Sequence, residues 1–96
     1  MRRFIGRPLA PAGENFVTEA NGSDPPVPRV FHWEDRTLAI VSVLRTWRST
    51  KNDRGDAYLK RHWFELRTED GAAIEIYYDR ESRRGASPWW LYTIDE

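Results

Sequence analysis

The chain has 96 residues, which is enough for one domain and too short for a second hydrophobic core. Fifteen basic residues balance fifteen acidic ones and 14% of the residues are aromatic, a composition that excludes an intrinsically disordered chain and a uniformly basic nucleic-acid binder. Cysteine is absent, so disulfides, thiolate metal sites and cysteine nucleophiles are excluded as well.

The first 28 residues are rich in proline and glycine. They hold five of the six prolines and three glycines, so they cannot form one regular element. Short extended pieces fit Arg3–Ile5 and Phe16–Glu19, and residues 21–26 have the composition of a loop. We predict that residues 1–28 form an irregular N-terminal arm.

Residues 29–95 contain apolar, β-branched and aromatic runs separated by polar loops and turns, the pattern of a small barrel or sandwich. For residues 37–48 a helix is the alternative, but the β-branched residues and the lack of a polar helical face favour a strand. The predicted strands are Arg29–Glu34, Thr37–Arg48, Tyr58–Thr68, Ala73–Asp79 and Trp89–Asp95.

These elements predict a single all-β domain. Its five-stranded antiparallel meander curls into a small half-open barrel or roll, and the irregular N-terminal arm packs against it. The chain has no apolar run of the roughly 18–20 residues that cross a bilayer, and its first residues lack the apolar stretch of a secretory signal. We therefore expect a cytoplasmic protein with no membrane partner.

The first hairpin is predicted to turn through two residues, Asp35 and Arg36. This register pairs Trp33 with Leu38, although Arg is a poor residue for the second position of such a turn.

The turn after the third predicted strand gives a sharper register. A two-residue loop would set apolar side chains against charged ones, whereas a three-residue loop pairs Leu66 with Ile74 and Phe64 with Ile76. Because a slip of one residue moves every side chain to the opposite face, we predict the three-residue loop, with a positive φ at Gly71.

The two registers divide the side chains between two faces of the sheet. The core-facing side chains are Phe31, Trp33, Leu38, Ile40, Leu44, Phe64, Leu66, Ile74, Ile76 and Tyr78. The second face carries His32, Val41, Val43, Trp47, Leu59, Trp63 and Tyr77. The second face is more apolar than a solvent-facing sheet usually is, so we expect the N-terminal arm to cover part of it. A self-association surface and a ligand or partner surface are the alternatives.

One segment is basic within this neutral chain. Residues 45–67 contain seven basic and three acidic residues, and two tryptophans lie among the cations. This pattern suits single-stranded nucleic acid, because cations follow the phosphates and bases stack on indole rings. A solvated basic hairpin with tryptophans that only pack is the more common use of such a pattern. The candidate binding residues are Arg45, Trp47, Arg48, Lys60, Arg61, Trp63 and Arg67.

No catalytic or cofactor motif can be assembled from the remaining residues. The chain has neither a nucleophile elbow nor a phosphate-binding glycine loop, and the register sets His32 and His62 on opposite faces. We expect a non-enzymatic binding or accessory module without a cofactor or metal. Its expected partner is single-stranded nucleic acid; the alternative is a protein-interaction or self-associating domain that uses the Trp47/Trp63 face. An enzyme is the weakest hypothesis, and monomer and weak homodimer both stay open.

The order of turns and tryptophans resembles that of a known family. The pattern starts with Arg2–Pro8 and continues with Phe31–Trp33, a Val/Leu run that ends at Trp47, Asp70-Gly71 between two strands, and a C-terminal Trp strand. It resembles small uncharacterised bacterial domains, known mainly as a domain of unknown function, over nearly the whole chain. Members of similar sequence are sometimes linked with error-prone DNA-repair proteins, and the resemblance implies no catalytic residues. The family's glycine-containing turn after the first Trp is replaced here by Asp-Arg.

Overall fold

The computed structural model of the chain describes residues 1–18, 25–48, 61–79 and 87–96, and these ranges contain seven β-strands and no helix. None of them therefore holds a helix long and apolar enough to cross a membrane. The strands are β1 (Arg2–Pro8), β2 (Ala10–Phe16), β3 (Pro28–Trp33), β4 (Arg36–Arg48), β5 (Arg61–Thr68), β6 (Ala73–Asp79) and β7 (Trp89–Asp95).

The strands form one antiparallel sheet in the order β1-β7-β6-β5-β4-β3-β2. The two edge strands, β1 and β2, are neighbours in the chain and are separated only by Leu9. The sheet must therefore curl until its two edges meet at this residue, which makes an all-β half-barrel. Leu9 is fully buried, and its N–H donates to the carbonyl of Trp89 at 2.9 Å.

The predicted count of five strands is wrong by two, because the segment predicted as an irregular arm supplies β1 and β2. Edge strands accept proline, since one side of their backbone needs no partner in the sheet. The glycines lie where the register of the edge strands slips, and Gly6 and Gly13 both have a positive φ. A high content of proline and glycine therefore accompanies interrupted edge strands here, where the sequence analysis predicted an irregular arm with short extended pieces.

The N-terminal segment also does not cover the second face as expected. β1 pairs with β7 and β2 pairs with β3, so both extend the sheet within its own surface. Of the apolar side chains that were expected to cover this face, Phe4, Ile5, Phe16 and Val17, only Ile5 and Val17 pack against the core. The second face of β4 to β7 is left without a covering strand among the described residues.

The core lies on the concave side of the sheet, and nine of its ten predicted members face it. The sequence analysis did not place six further buried residues there: Leu9, Val27, Ala72, Trp89, Leu91 and Ile94. Trp89 lies between two predicted core rings, with centroids 5.5 Å from Phe31 and 5.7 Å from Phe64.

Leu44 is the predicted core residue that lies outside, with 41% of its surface exposed. The register between β4 and β5 shifts twice, so Val41 and Leu44 are extra residues without a partner on β5. Each bulge reverses the alternation of the residues that follow it. Val43, which was predicted on the second face, consequently packs against the core.

The two predicted hairpin turns have different outcomes. In the β5–β6 hairpin, Leu66 pairs with Ile74 and Gly71 has a φ of 92°, so the three-residue loop is confirmed. In the first hairpin the turn residues are Glu34 and Asp35, which moves the pairing by two positions and leaves the two faces unchanged. Glu34 takes the positive φ of 56°, while Arg36 stays in β4 with its guanidinium 5.2 Å from the Trp33 ring.

Truncating Phe64 to alanine should lower the free energy of unfolding by about 3–5 kcal/mol, because the ring is buried against His62 and Trp89. Phe16 is an exposed ring of the same size on β2, so Phe16→Ala is the matched control and should change stability by less than about 0.5 kcal/mol. Urea unfolding of both variants measures the difference. Equal losses would contradict this description of the core.

Gly71→Val should destabilise the fold by about 1–2 kcal/mol, since a β-branched residue is strained at a φ of 92°. Space is not the obstacle, because no atom lies within 4 Å of where a Cβ at Gly71 would project. Gly71→Asn should therefore cost less than Gly71→Val, as asparagine tolerates left-handed backbone better. Thermal and urea unfolding of the pair test this order, and equal stability of the two variants would refute it.

Candidate functional site

A row of aromatic rings crosses the convex face of the sheet. Trp47, Trp63, Tyr77 and Trp90 occupy directly paired positions on β4, β5, β6 and β7. Their successive centroids are 6.0, 4.8 and 6.2 Å apart, and all four rings are half-buried. Direct cross-strand partners project from the same face, so the pairing aligns four separate strands into one aromatic row.

Two further rings join this row to the edge of the sheet. Tyr92 is the extra residue of a bulge in β7, and it contacts Trp63 edge to face at 5.1 Å. On its other side, Tyr92 meets Phe4 of β1 at 5.2 Å with an interplanar angle of 87°. We call the six rings the outer aromatic face.

Two carboxylates lie beside these rings at directly opposed positions. Glu65 of β5 pairs with Glu75 of β6, an arrangement of like charges that is unfavourable unless cations compensate it. Arg2 reaches both, with nitrogen–oxygen distances of 3.6 Å to Glu65 and 3.2 Å to Glu75. Arg45 adds a second ion pair to Glu65 at 3.1 Å, and the Thr93 hydroxyl donates to Glu75 at 2.7 Å.

The cations of this cluster are the outermost charges. The side chains of Arg2 and Arg45 are 51% and 63% exposed, whereas those of Glu65 and Glu75 are 17% and 14% exposed. Solvent therefore meets the guanidinium groups first, although the charges of the cluster nearly balance. The carboxylates beneath form ion pairs with both arginines.

Two guanidinium groups also lie over rings of the aromatic row. Arg45 is 4.7 Å from the Trp47 ring centroid, and Arg61 is 4.7 Å from that of Tyr77. Such cation–π contacts leave the N–H groups at the rim of the guanidinium available to an anion. Burial raises the pKa of the Tyr77 hydroxyl above its ordinary value, so this ring is uncharged at neutral pH.

The structure brings together four of the seven residues predicted from sequence: Arg45, Trp47, Arg61 and Trp63. Arg67 lies further along β5, where its guanidinium donates to the carbonyl of Gly71 at 3.2 Å, and it does not join the outer aromatic face. The side chain of Arg48 and the whole of Lys60 fall outside the described residues, as does Leu59 of the predicted second face.

Sequence reasoning missed the part of the site that comes from β1 and β7. Trp90 could have been found from alternation in β7, since Trp89 faces the core. The sequence analysis did not identify Phe4 and Arg2 as site residues, because their segment was predicted as an irregular arm. The bulge that presents Tyr92 likewise has no glycine or proline to mark it.

Neither histidine belongs to the outer aromatic face. His62 is buried and stacks on Phe64 at 4.6 Å, and its Nε2 lies 2.7 Å from the Thr46 hydroxyl. Within the described ranges, no group of three or more metal-ligating side chains comes together.

A shallow cavity of about 340 Å³ lies at the other end of β4, beside the β5–β6 turn. Its charged groups are the carboxylates of Glu69 and Asp70. A hydrogen bond from the Thr68 hydroxyl lowers the pKa of Asp70, so this carboxylate is engaged in the turn itself. The charged groups of this cavity therefore belong to the β5–β6 turn.

Comparison with known families decides where this chain belongs. The family described as Domain of unknown function (DUF6504) matches residues 1–96. The chain belongs to this family. Membership of DUF6504 confirms the resemblance seen in the sequence, and no curated protein and no solved structure matches the chain.

Arg2→Ala should destabilise the domain by roughly 0.2–1 kcal/mol, because it leaves Glu65 and Glu75 opposed with one cation fewer. In a Glu75→Gln background, Arg2→Ala should lower the free energy of unfolding by less, because the pair of like charges is gone. Arg3→Ala is the control, because Arg3 is similarly exposed and contacts Glu96 instead. Urea unfolding of the double-mutant cycle measures the coupling, and a coupling of zero would show that Arg2 does not hold the pair.

Proposed function

We propose that this DUF6504 domain is a non-enzymatic module that binds single-stranded nucleic acid on its outer aromatic face. The observation that carries the proposal is the combination of an aromatic row across four strands with guanidinium groups as its outermost charges. Proteins that bind single strands combine these two components, a stacking surface for the bases and cations for the phosphates. A cytoplasmic location fits such a ligand.

The cations can serve a phosphate although each has a carboxylate partner. Ion pairs between exposed groups contribute only about 0–1 kcal/mol, so a phosphate can share or replace these contacts at little cost. Arg61 illustrates this, since its Nε lies 3.9 Å from Asp79 and its guanidinium is held mainly by the Tyr77 ring. Planar guanidinium groups match the oxygens of a phosphate in two-point contacts.

The aromatic component supports binding without preference for a base sequence. Every nucleobase has a π face, so a row of rings accepts any base, and each stacking contact contributes about 1–3 kcal/mol. The polar side chains between the rings are engaged with one another, as the contacts of Glu75 with Arg2 and Thr93 show. They hold the surface in place and are not aimed at a reacting group, which supports a binding module over an enzyme.

A protein-interaction or self-associating surface at the Trp47/Trp63 face is the second candidate. One observation favours it: Phe4 and Tyr92 expose apolar surface next to the aromatic row, and contiguous exposed apolar patches often mark interfaces. Such an interface would bury the same rings, so the two functions exclude each other at this face.

Titration of a fluorescently labelled single-stranded oligonucleotide over a range of salt concentrations tests the proposal. We expect log–log salt dependence with a slope near −2, from about −0.7 for each of the contacts made by Arg2, Arg45 and Arg61. Arg45→Gln should weaken binding and make the slope shallower by about 0.7. Trp63→Ala should weaken binding by about 1–3 kcal/mol with the slope unchanged, because stacking releases no counterion.

Two substitutions on the other part of the sheet serve as controls. Arg29→Gln removes an exposed cation from β3, and Phe16→Ala removes an exposed ring from β2; neither should change binding. The proposal fails if the unmodified domain does not bind at low salt and high micromolar concentration. A concentration-dependent dimer on a sizing column that Trp63→Ala disperses would then support the second candidate.

A further inference from the structure

Phe4 is held in place at the edge of the sheet and yet lies mostly in solvent. Its surface is 70% exposed. The far end of the ring occupies the space above Gly6, where a Cβ would approach the ζ carbon to 2.8 Å. On another side the ring meets Tyr92 at nearly a right angle. The Gly6 backbone and a second ring thus pack against a side chain that folding does not bury.

Gly6 makes this arrangement possible for two reasons. Its φ of +64° belongs to the left-handed region, which side chains rarely adopt, and any side chain would collide with the Phe4 ring. Gly13 on β2 gives an internal comparison. It has a similar φ of +75°, but nothing lies within 4 Å of its Cβ position. Of these two glycines, Gly6 alone has an aromatic ring packed over it.

The position of Phe4 connects it to the aromatic row and to the cations. Tyr92 bridges from Phe4 to Trp63, with contacts of 5.2 and 5.1 Å. Arg2 lies two residues before Phe4, and its guanidinium reaches across the face to Glu75 and Glu65. A fixed, exposed ring thus lies within one continuous surface beside an outermost cation.

We propose that Phe4, supported by Gly6 and Tyr92, is a stacking position for a nucleobase and forms the β1 end of the nucleic-acid site. This inference rests on the proposed function and adds to it a binding residue from a strand outside the basic segment. The adjacent Arg2 gives the surface a charge that complements a phosphate next to the stacked base. A strand bound along Trp47, Trp63 and Tyr92 then continues onto Phe4 at the sheet edge.

Substitutions of Phe4 separate stacking from simple apolar contact. Phe4→Ala should weaken the binding of a labelled single-stranded oligonucleotide about 5- to 150-fold, the loss expected for one stacked base. Phe4→Leu should bind the oligonucleotide nearly as weakly as Phe4→Ala, because leucine is apolar but has no π face. Phe4→Trp should bind at least as tightly as the unmodified domain. Phe16→Ala is the control and should bind normally.

The two glycines supply an independent test that keeps the Phe4 side chain. Gly6→Ala and Gly13→Ala place a methyl group at similar positive φ values on the two edge strands, so their melting temperatures should fall by similar amounts. Only Gly6→Ala displaces the ring. We therefore expect weaker binding from Gly6→Ala and unchanged binding from Gly13→Ala, both measured well below their melting temperatures.

The outcomes distinguish this inference from the proposed function. If Trp63→Ala weakens binding while Phe4→Ala and Gly6→Ala bind normally, the Phe4 position is refuted and the aromatic row remains. If Phe4→Leu binds like the unmodified domain, or Phe4→Trp is as weak as Phe4→Ala, the ring contributes no stacking and the inference fails. If the unmodified domain binds no oligonucleotide, both proposals fall.

Discussion

The closure of the sheet at Leu9 is the constraint on which the rest of this structure depends. The N–H of Leu9 bonds to the Trp89 carbonyl, and its own carbonyl accepts a hydrogen bond from the Ser87 hydroxyl. The residues before it therefore pair with β7 and the residues after it with β3. One extended segment thus borders both ends of the sheet. Because β1 pairs with β7, Arg2 and Phe4 share a surface with Trp63 and Trp47 on β5 and β4.

Because the strands are two-sided, the core and the candidate site are built from the same elements. In β5, His62, Phe64 and Leu66 point inward, while Trp63 and Glu65 point outward. Among the described aromatic side chains, Phe31, Trp33, Phe64 and Trp89 fill the core, Tyr78 packs against it, and six others form the outer aromatic face. Packing on the concave side thereby positions the rings on the convex side. The candidate site consequently has the rigidity of a sheet, which mobile loops do not offer.

The sign of the charge that the site presents to solvent depends on how deeply each charged group lies. The chain has equal numbers of acidic and basic residues, and the cluster around Glu65 and Glu75 nearly balances as well. The carboxylates lie close to the sheet, and the longer arginine side chains extend over them and over the aromatic rings. A cluster with little net charge can still present positive charge to a ligand, because the ligand contacts the outermost groups and these are the guanidinium groups.

Sequence reasoning predicted the all-β class of the fold, the β5–β6 register with its glycine turn, nine core-facing residues and the placement of Trp47 and Trp63 together on an outer face. These features depend on local alternation and on turn chemistry, which neighbouring residues specify. The tertiary structure alone decided that the proline-rich start forms two edge strands, that bulges expel Leu44 and recruit Tyr92, and that Arg2 and Phe4 reach the site. These features depend on residues that are distant in sequence. An edge strand forms only where a partner strand pairs with it, and a bulge forms only where the register of the partner requires an extra residue. Local sequence patterns therefore do not predict either feature.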